Sequence, residues 1–208
     1  MDLKINKATL SRLPSYLRYL NGVKDNTKNV SSPMIAKSLG YGEVLVRKDL
    51  NSVCGAGKPK TGYLVSELIE SIEKLLNIKK HISCILIGAG KLGRALLDYD
   101  GFKEYGMDIV SGFDICPNPE LKIVKPVYPM SELKEYLATN DIKVAIITTP
   151  AKSARAVSEE LIENGIKLIW NFTPVKLKST SDVIIENENL ALSLAYLFTK
   201  DHLFKEEI

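Results

Sequence analysis

Residues able to hold a metal are scarce in this chain, with two histidines and three cysteines among 208 residues. His81 and His202 stand apart from Cys54, Cys84 and Cys116, the cysteines are odd in number, and none of these residues falls at the paired spacing of a zinc site, so no metal is expected. Free cysteines of this kind read as small buried apolar groups; only Cys54 lies beside a glycine-rich loop. Long apolar runs are missing too. None reaches the roughly 18 residues of a membrane span. Met1 to Leu20 also lacks the continuous apolar core of a signal peptide, so the expectation is a cytoplasmic protein with no membrane contact.

What is present is an ordinary globular composition, 45% hydrophobic and 25% charged, which argues against disorder. The length suits one small domain followed by a medium one, at roughly 150 residues per domain. Charge is divided unevenly. Residues 1–80 carry 14 Lys and Arg against 7 Asp and Glu, and residues 81–208 carry 14 against 18, so the two parts are +7 and −4. A polyanion partner suits the first part only, although a solvated basic face accounts for the same excess.

In the basic part, Leu10, Leu13, Leu17 and Leu20, with Tyr16, recur at helical spacing from Ala8 to Leu20, with Pro14 inside the pattern. A second helix is signalled by Ser32 as N-cap and Pro33 at the first helical position; Ile35, Ala36 and Leu39 share one face and Gly40 stops it. After the Tyr41-Gly42 turn a third helix runs from Glu43 to Val53, with Val44, Leu50 and Val53 for packing and Arg47, Lys48 and Asn51 on another face. Short helix, tight turn and second helix is the helix-turn-helix arrangement, whose second helix enters the major groove of double-stranded DNA while the first crosses the backbone. Arg47, Lys48 and Asn51 are the candidate base and phosphate contacts, with Ser31 and Ser32 at the start of the first helix of the pair. The loop Gly55 to Gly62 holds three glycines together with Lys58 and Lys60, and reads as a wing able to approach phosphate or the minor groove closely. A small helical bundle with a flexible linker fits the same pattern. A further amphipathic helix is expected over Tyr63 to Ile78, with a domain boundary near Lys80.

The second part opens on Ile82 to Ile87, a buried strand, followed by Gly88-Ala89-Gly90-Lys91-Leu92-Gly93 and a helix from Lys91 to Tyr99. In such a fingerprint the first glycine allows the tight turn, the second lets backbone approach a pyrophosphate, and the third lets the helix pack on the strand. Amides at the helix N-terminus receive the anion. The next strand, Ile109 to Phe113, ends at Asp114, about 20 residues beyond the last glycine as the fingerprint requires. Asp114 would accept hydrogen bonds from an adenosine ribose and repel a 2′-phosphate, which favours NAD over NADP. The competing reading of Asp114 is a turn residue ahead of Pro117. A helix capped by Ser131 and running to Ala138, strand Val144 to Ile147, helix Ser153 to Asn164 and strand Leu168 to Trp170 continue the alternation of a parallel, doubly wound sheet. Thr148, Thr149 and Pro150 close one strand and Asn171 and Phe172 another, where such sheets bind ligands and where plain loop structure also occurs. No His or Lys stands out as an acid or base for hydride transfer. After a strand at Val183 to Ile185, Leu190, Leu194, Leu197 and Phe198 mark an apolar helix from about Asn189 to Asp201, which packs on its own domain or forms a dimer contact.

Taken together, Ser11-Arg-Leu-Pro-Ser-Tyr-Leu-Arg-Tyr-Leu20, Val46-Arg-Lys-Asp-Leu50, Gly62-Tyr63, Ile87-Gly-Ala-Gly-Lys-Leu-Gly-Arg94, Phe113-Asp114, Gly165-Ile-Lys, Asn171-Phe-Thr-Pro-Val175 and Ile185-Glu-Asn187 resemble the Rex family of redox-sensing transcriptional repressors over nearly the whole chain. The resemblance implies an α/β protein: a winged helix-turn-helix domain with its linking helix over residues 1–80, a Rossmann-like NAD(H)-binding domain over 81–187, and a dimerisation helix over 188–208 exchanged between subunits. It implies a homodimer that binds operator DNA in the presence of NAD+ and releases it with NADH, with Tyr99 near the nicotinamide and Arg18 at the interface of the domains. Two departures stand out. The wing has Val53, Cys54, Ala56 and Pro59 where many members have aromatic residues and an arginine. Asn189 occupies the place of a family aspartate that exchanges partners between redox states, so a salt bridge to Arg18 would lose its charge. The alternatives left open are a small NAD-dependent oxidoreductase and a DNA-binding regulator of another nucleotide-like ligand.

Overall fold

The computed structural model describes residues 5–78, 81–118 and 124–206. The chain divides into two compact units, Met1–Lys80 and His81–Ile208; Lys80 itself lies outside the described residues. In the first unit, helix α1 (Lys7–Val23) is capped by Asn6, whose side chain accepts from the Thr9 amide at 2.8 Å. Strand β1 (Asn29–Val30), helix α2 (Ser32–Leu39), helix α3 (Glu43–Cys54), strand β2 (Tyr63–Leu64) and helix α4 (Val65–Leu75) follow. The two strands pair antiparallel and tie the loop after α3 back to the start of α2.

Apolar stripes at helical spacing explain the core, in which Leu13, Tyr16, Leu17 and Leu20 of α1 meet Ile35, Val46, Leu50, Leu68 and Ile72. Three expectations are corrected here. Ser31, not Ser32, caps α2, accepting from the Met34 amide at 3.4 Å, which puts Pro33 one residue inside the helix. Val44 is 55% exposed and Val46 takes its place in the core, because the buried stripe of α3 runs Val46, Asp49, Leu50, Val53. Tyr63 and Leu64 are extended, not helical, since pairing with β1 satisfies their backbone and holds the wing.

The second unit is a six-stranded sheet in the order β5-β4-β3-β6-β7-β8, with parallel pairing throughout. Its strands are β3 (Ile82–Ile87), β4 (Met107–Asp114), β5 (Val127–Pro129), β6 (Val144–Ile147), β7 (Leu168–Asn171) and β8 (Ile184–Asn187). Helices α5 (Lys91–Leu97), α6 (Leu133–Thr139) and α7 (Ala154–Glu163) alternate with them, and α8 (Leu190–Glu206) is the last described element. Strand order leaves β3 toward β4 and β5 and resumes on its other side at β6, so the reversal lies between the carboxyl ends of β3 and β6, where open sheets of this kind bind ligands. Helix α5 is shorter than expected: it ends at Leu97, and a 3-10 turn, Asp100–Tyr105, takes up the rest of the expected span. Ser131 does not cap a helix but lies inside a 3-10 turn, Met130–Glu132, that leads into α6.

Candidate functional site

Two sites emerge, one in each unit. In the first, α2, α3 and the wing enclose a surface groove of about 700 Å³. Ser31, Ser32, Arg47, Lys48, Asn51, Lys58 and Lys60 all line it, and no lining residue carries a carboxylate. The loop closes as a tight hairpin: Lys58 and Gly62 exchange amide-to-carbonyl hydrogen bonds at 2.8 Å in both directions, and the Thr61 amide donates to the Lys58 carbonyl at 3.2 Å. Pro59 and Lys60 stand at its tip. The groove can accept a polyanion and, through Asn51 and Arg47, read hydrogen-bonding edges.

Behind this groove is a cluster that sequence reasoning missed. Asp49, only 3% exposed, faces inward from α3. Its carboxylate accepts from Thr9 Oγ1 at 2.8 Å, Arg12 Nε at 2.7 Å, Arg12 Nη2 at 2.8 Å and the Tyr16 hydroxyl at 2.7 Å. Burial alone would raise its pKa, but the hydrogen bonds from Arg12, Tyr16 and Thr9 outweigh it and hold the carboxyl below the usual range. The legible signal was a carboxylate within an apolar stripe, which a buried helix face tolerates only with partners.

In the second unit the glycine turn stands at the reversal point. Gly88 has φ of +98°, and a Cβ there would lie 3.0 Å from backbone atoms of Thr148 and Thr149. A Cβ on Gly93 would lie 2.0 Å from the Gly88 carbonyl oxygen, so only glycine lets α5 sit against the turn. Nothing lies within 4 Å of a Cβ on Gly90. The second glycine is therefore free of packing duties and leaves the approach to the backbone open. Lys91 and Leu92 follow, exposed, on the first turn of α5, whose leading amides have no intrahelical acceptor.

Asp114 Oδ2 accepts from the Ala89 amide at 2.7 Å and Oδ1 from the Cys116 amide at 2.9 Å. It thus joins the tip of the glycine turn to the loop after β4, as the turn reading of this carboxylate expects. The Thr148 hydroxyl donates to the Gly88 carbonyl at 2.7 Å, while Thr149 Oγ1 is buried without a hydrogen-bond partner among the described residues. Pro150, exposed, begins the next turn. An open glycine, an acidic residue at its edge and an unsatisfied buried hydroxyl across from it fit an adenine dinucleotide.

Tyr99, 56% exposed, stands edge-on to Phe102 at 5.1 Å; Phe102 meets Trp170 at 5.9 Å and Trp170 meets Phe172 at 4.4 Å. The structure thus brings Tyr99 and Phe172 into one aromatic row. Asn171 is fully buried, and its side chain is committed to Val175 and Asn187 as donor and to the Thr173 amide as acceptor, so it shapes its loop and presents no free polar atom. Asn189 caps α8 by accepting from the Leu192 amide at 3.0 Å. Leu194 and Phe198 of that helix are exposed, as is Arg18 on α1. Of the three cysteines only Cys84 is buried as expected, while Cys54 and Cys116 end exposed at the surface; partial desolvation, with Glu67 adding to the shift, raises the thiol pKa of Cys54 to about 11, so the cysteine beside the wing is a poor nucleophile. Among the described residues no group of three or more His, Cys, Asp or Glu is placed to hold a metal, and no helix is long and apolar enough to cross a membrane.

Comparison with known proteins finds matches to both parts of the chain. A family model described as "CoA binding domain" matches residues 79–175, and one described as "Putative DNA-binding protein N-terminus" matches residues 4–51. A redox-sensing transcriptional repressor Rex of Porphyromonas gingivalis is 35% identical over 205 residues, covering 96% of this chain and 93% of that protein. A Rex of Treponema denticola is 40% identical over 195 residues, 91% of each chain. The crystal structure of RSP with β-NAD+ and operator DNA aligns at a TM-score of 0.85 with 36% identity, covering 97% of this chain and 96% of that one. RSP with β-NADH aligns at 0.82 with 35% identity over 99% of both chains.

Proposed function

The chain belongs to the Rex family of redox-sensing transcriptional repressors, and from that premise we propose that it binds operator DNA as a homodimer whose affinity is set by NAD+ and NADH, with NADH favouring release. It is a regulator and not an enzyme, as its relatives are. The observation that carries the reading is the single groove in which seven DNA-facing residues meet, with four cations and no carboxylate. Arg47, Lys48 and Asn51 read the major groove from α3, Ser31 and Ser32 meet phosphate at the start of α2, and Lys58 and Lys60 approach from the wing. NAD(H) is held by Gly88 to Gly93 at the pyrophosphate and by Asp114 at the ribose, with Thr148, Thr149 and Pro150 opposite and Tyr99 and Phe172 toward the nicotinamide. The exposed apolar side chains of α8 support dimerisation through that helix, with Leu194 and Phe198 in the contact. The reading places the protein in the cytoplasm with its operator.

Operator binding measured by fluorescence polarisation across NADH to NAD+ ratios at fixed salt tests this. Affinity should fall as the NADH fraction rises. Arg47→Ala should weaken DNA binding and leave nucleotide binding intact. Gly90→Val, whose Cβ would have no protein atom within 4 Å, should fold yet lose NADH. Calorimetry in which coenzyme A binds and NADH does not would overturn the assignment of the ligand.

A further inference from the structure

The buried charge behind the groove calls for an explanation beyond stability. Asp49 lies between Lys48 and Leu50 on α3, and every donor to it comes from one face of α1: Thr9, Arg12 and Tyr16. An apolar side chain at this point of the stripe Val46, Asp49, Leu50, Val53 would pack in the same place without desolvating a carboxylate. Replacing buried ion pairs by apolar groups of similar volume is often neutral or stabilising. The pair therefore supplies something that apolar packing does not. Crossing angles between apolar helix faces scatter by about 15–20° from one pair to another, so apolar packing alone prescribes an arrangement loosely, whereas a planar guanidinium gripping a carboxylate through two parallel bonds fixes both direction and height.

That difference matters on α3. A side-chain tip roughly 6 Å from the helix axis moves about 2 Å when the helix turns by about 20°, most of the length of a hydrogen bond. Arg47, Lys48 and Asn51 flank Asp49 in sequence and face the groove while Asp49 faces inward.

We propose that Asp49 is a positioning residue for operator recognition: held by Thr9, Arg12 and Tyr16, it fixes the rotation and height of α3 on α1 so that Arg47, Lys48 and Asn51 meet base edges in register. This rests on the reading of α3 as the operator-reading helix. It also makes α1 part of the DNA-reading body, so a displacement imposed on α1 reaches the groove undiminished.

The full-length chain tests it with two variants. The double variant Arg12→Met, Asp49→Leu replaces the pair by apolar groups and leaves net charge unchanged; Tyr16→Phe removes one hydroxyl and keeps the ring. Each is measured for thermal midpoint, for binding to the duplex that the unaltered chain enriches from a random pool, and for binding to a scrambled duplex at the same salt. The double variant should fold, lose about tenfold or more in preference for the enriched duplex, the equivalent of a lost base contact, and bind scrambled DNA within about twofold, because every groove cation remains. Tyr16→Phe should lose preference in the same sense, about threefold, on the scale of one weakened hydrogen bond. A folded double variant with full preference overturns the proposal, as does a parallel fall on both duplexes. If the double variant does not fold, unchanged preference in Tyr16→Phe overturns it. Failure of the underlying reading shows differently: the unaltered chain enriches no duplex, or Arg47→Ala binds the enriched duplex as well as the unaltered chain does.

Discussion

Lys60 holds a backbone conformation that lysine rarely adopts, with φ of +65°. The turn from Lys58 to Thr61 places Pro59 at its first central position and Lys60 at the second, where a type II turn requires positive φ and glycine is the usual residue. A side chain there costs about 1–2 kcal/mol relative to glycine, partly offset because glycine adds roughly 0.4–1 kcal/mol of unfolded-state freedom. Strain retained at a groove edge points to use of the side chain. Lys60→Gly is therefore expected to leave stability unchanged or raise it by up to about 1.5 kcal/mol. If Lys60 meets a phosphate, the same change should weaken DNA binding uniformly across sequences and reduce the salt slope by about one. Thermal denaturation and binding at several salt concentrations check both; an unchanged slope would remove Lys60 from the interface.

Helices α1 and α3 are joined by a carboxylate whose folded pKa lies below its ordinary value of 3.8. A lowered acid pKa contributes stability that is fully present above the unfolded value and is lost as pH falls through the folded one. The first unit should accordingly hold its stability down to about pH 4–5 and weaken steeply below, and Arg12→Met, Asp49→Leu should flatten that acid limb in a denaturation series.

Helix α8 poses a different problem, because Leu190, Leu192, Leu194, Tyr196, Leu197 and Phe198 are all more than half exposed and point to every side of the helix. A helix that is apolar all round requires burial all round, which suits insertion between surfaces more than docking by one face. Leu194→Asp should convert the dimer to monomer in light scattering and cost most of the operator affinity, since two half-sites are then no longer joined. A dimeric Leu194→Asp protein would place the subunit contact elsewhere.

The periods and punctuation of these elements were legible because they are local. Gly40 ended α2, and Gly88 to Gly93 with Asp114 marked the turn between β3 and α5. Long-range pairing was not local: Tyr63 and Leu64 carry a helix-compatible pattern until β1 claims them, and the three residues Val127–Pro129 make an edge strand that includes a proline and has no period to detect. Nor could Asp49 be matched to Arg12 across 37 residues without the fold. At the candidate nucleotide site the glycine turn and the position of Asp114 at the end of β4 were legible, whereas the commitment of Asn171 to its own loop depends on neighbours that only folding supplies.

At the scale of the whole molecule, a basic unit and an acidic one lie on one chain, and in the homodimer proposed above a nucleotide can control DNA binding only by favouring one arrangement over another. Coupling of this kind is typically about 1–3 kcal/mol, or roughly 5–150-fold in affinity. Asn189 bears on its size. It stands where the resemblance to Rex implies an aspartate that pairs with Arg18 in one redox state, and here it caps α8 through the Leu192 amide. Asparagine and aspartate cap helices about equally well, so Asn189→Asp keeps the cap and changes charge alone. If Arg18 is its partner, the added carboxylate stabilises only the arrangement in which the two meet, and the ratio of operator affinities with NAD+ and NADH should widen by about fivefold, within the range of a charge-assisted contact. The effect should vanish in an Arg18→Ala background, where no cation remains to receive it, while dimer mass and NADH affinity change little in either. A ratio that stays the same in Asn189→Asp, or widens equally without Arg18, would mean that the switch in this chain runs through other contacts.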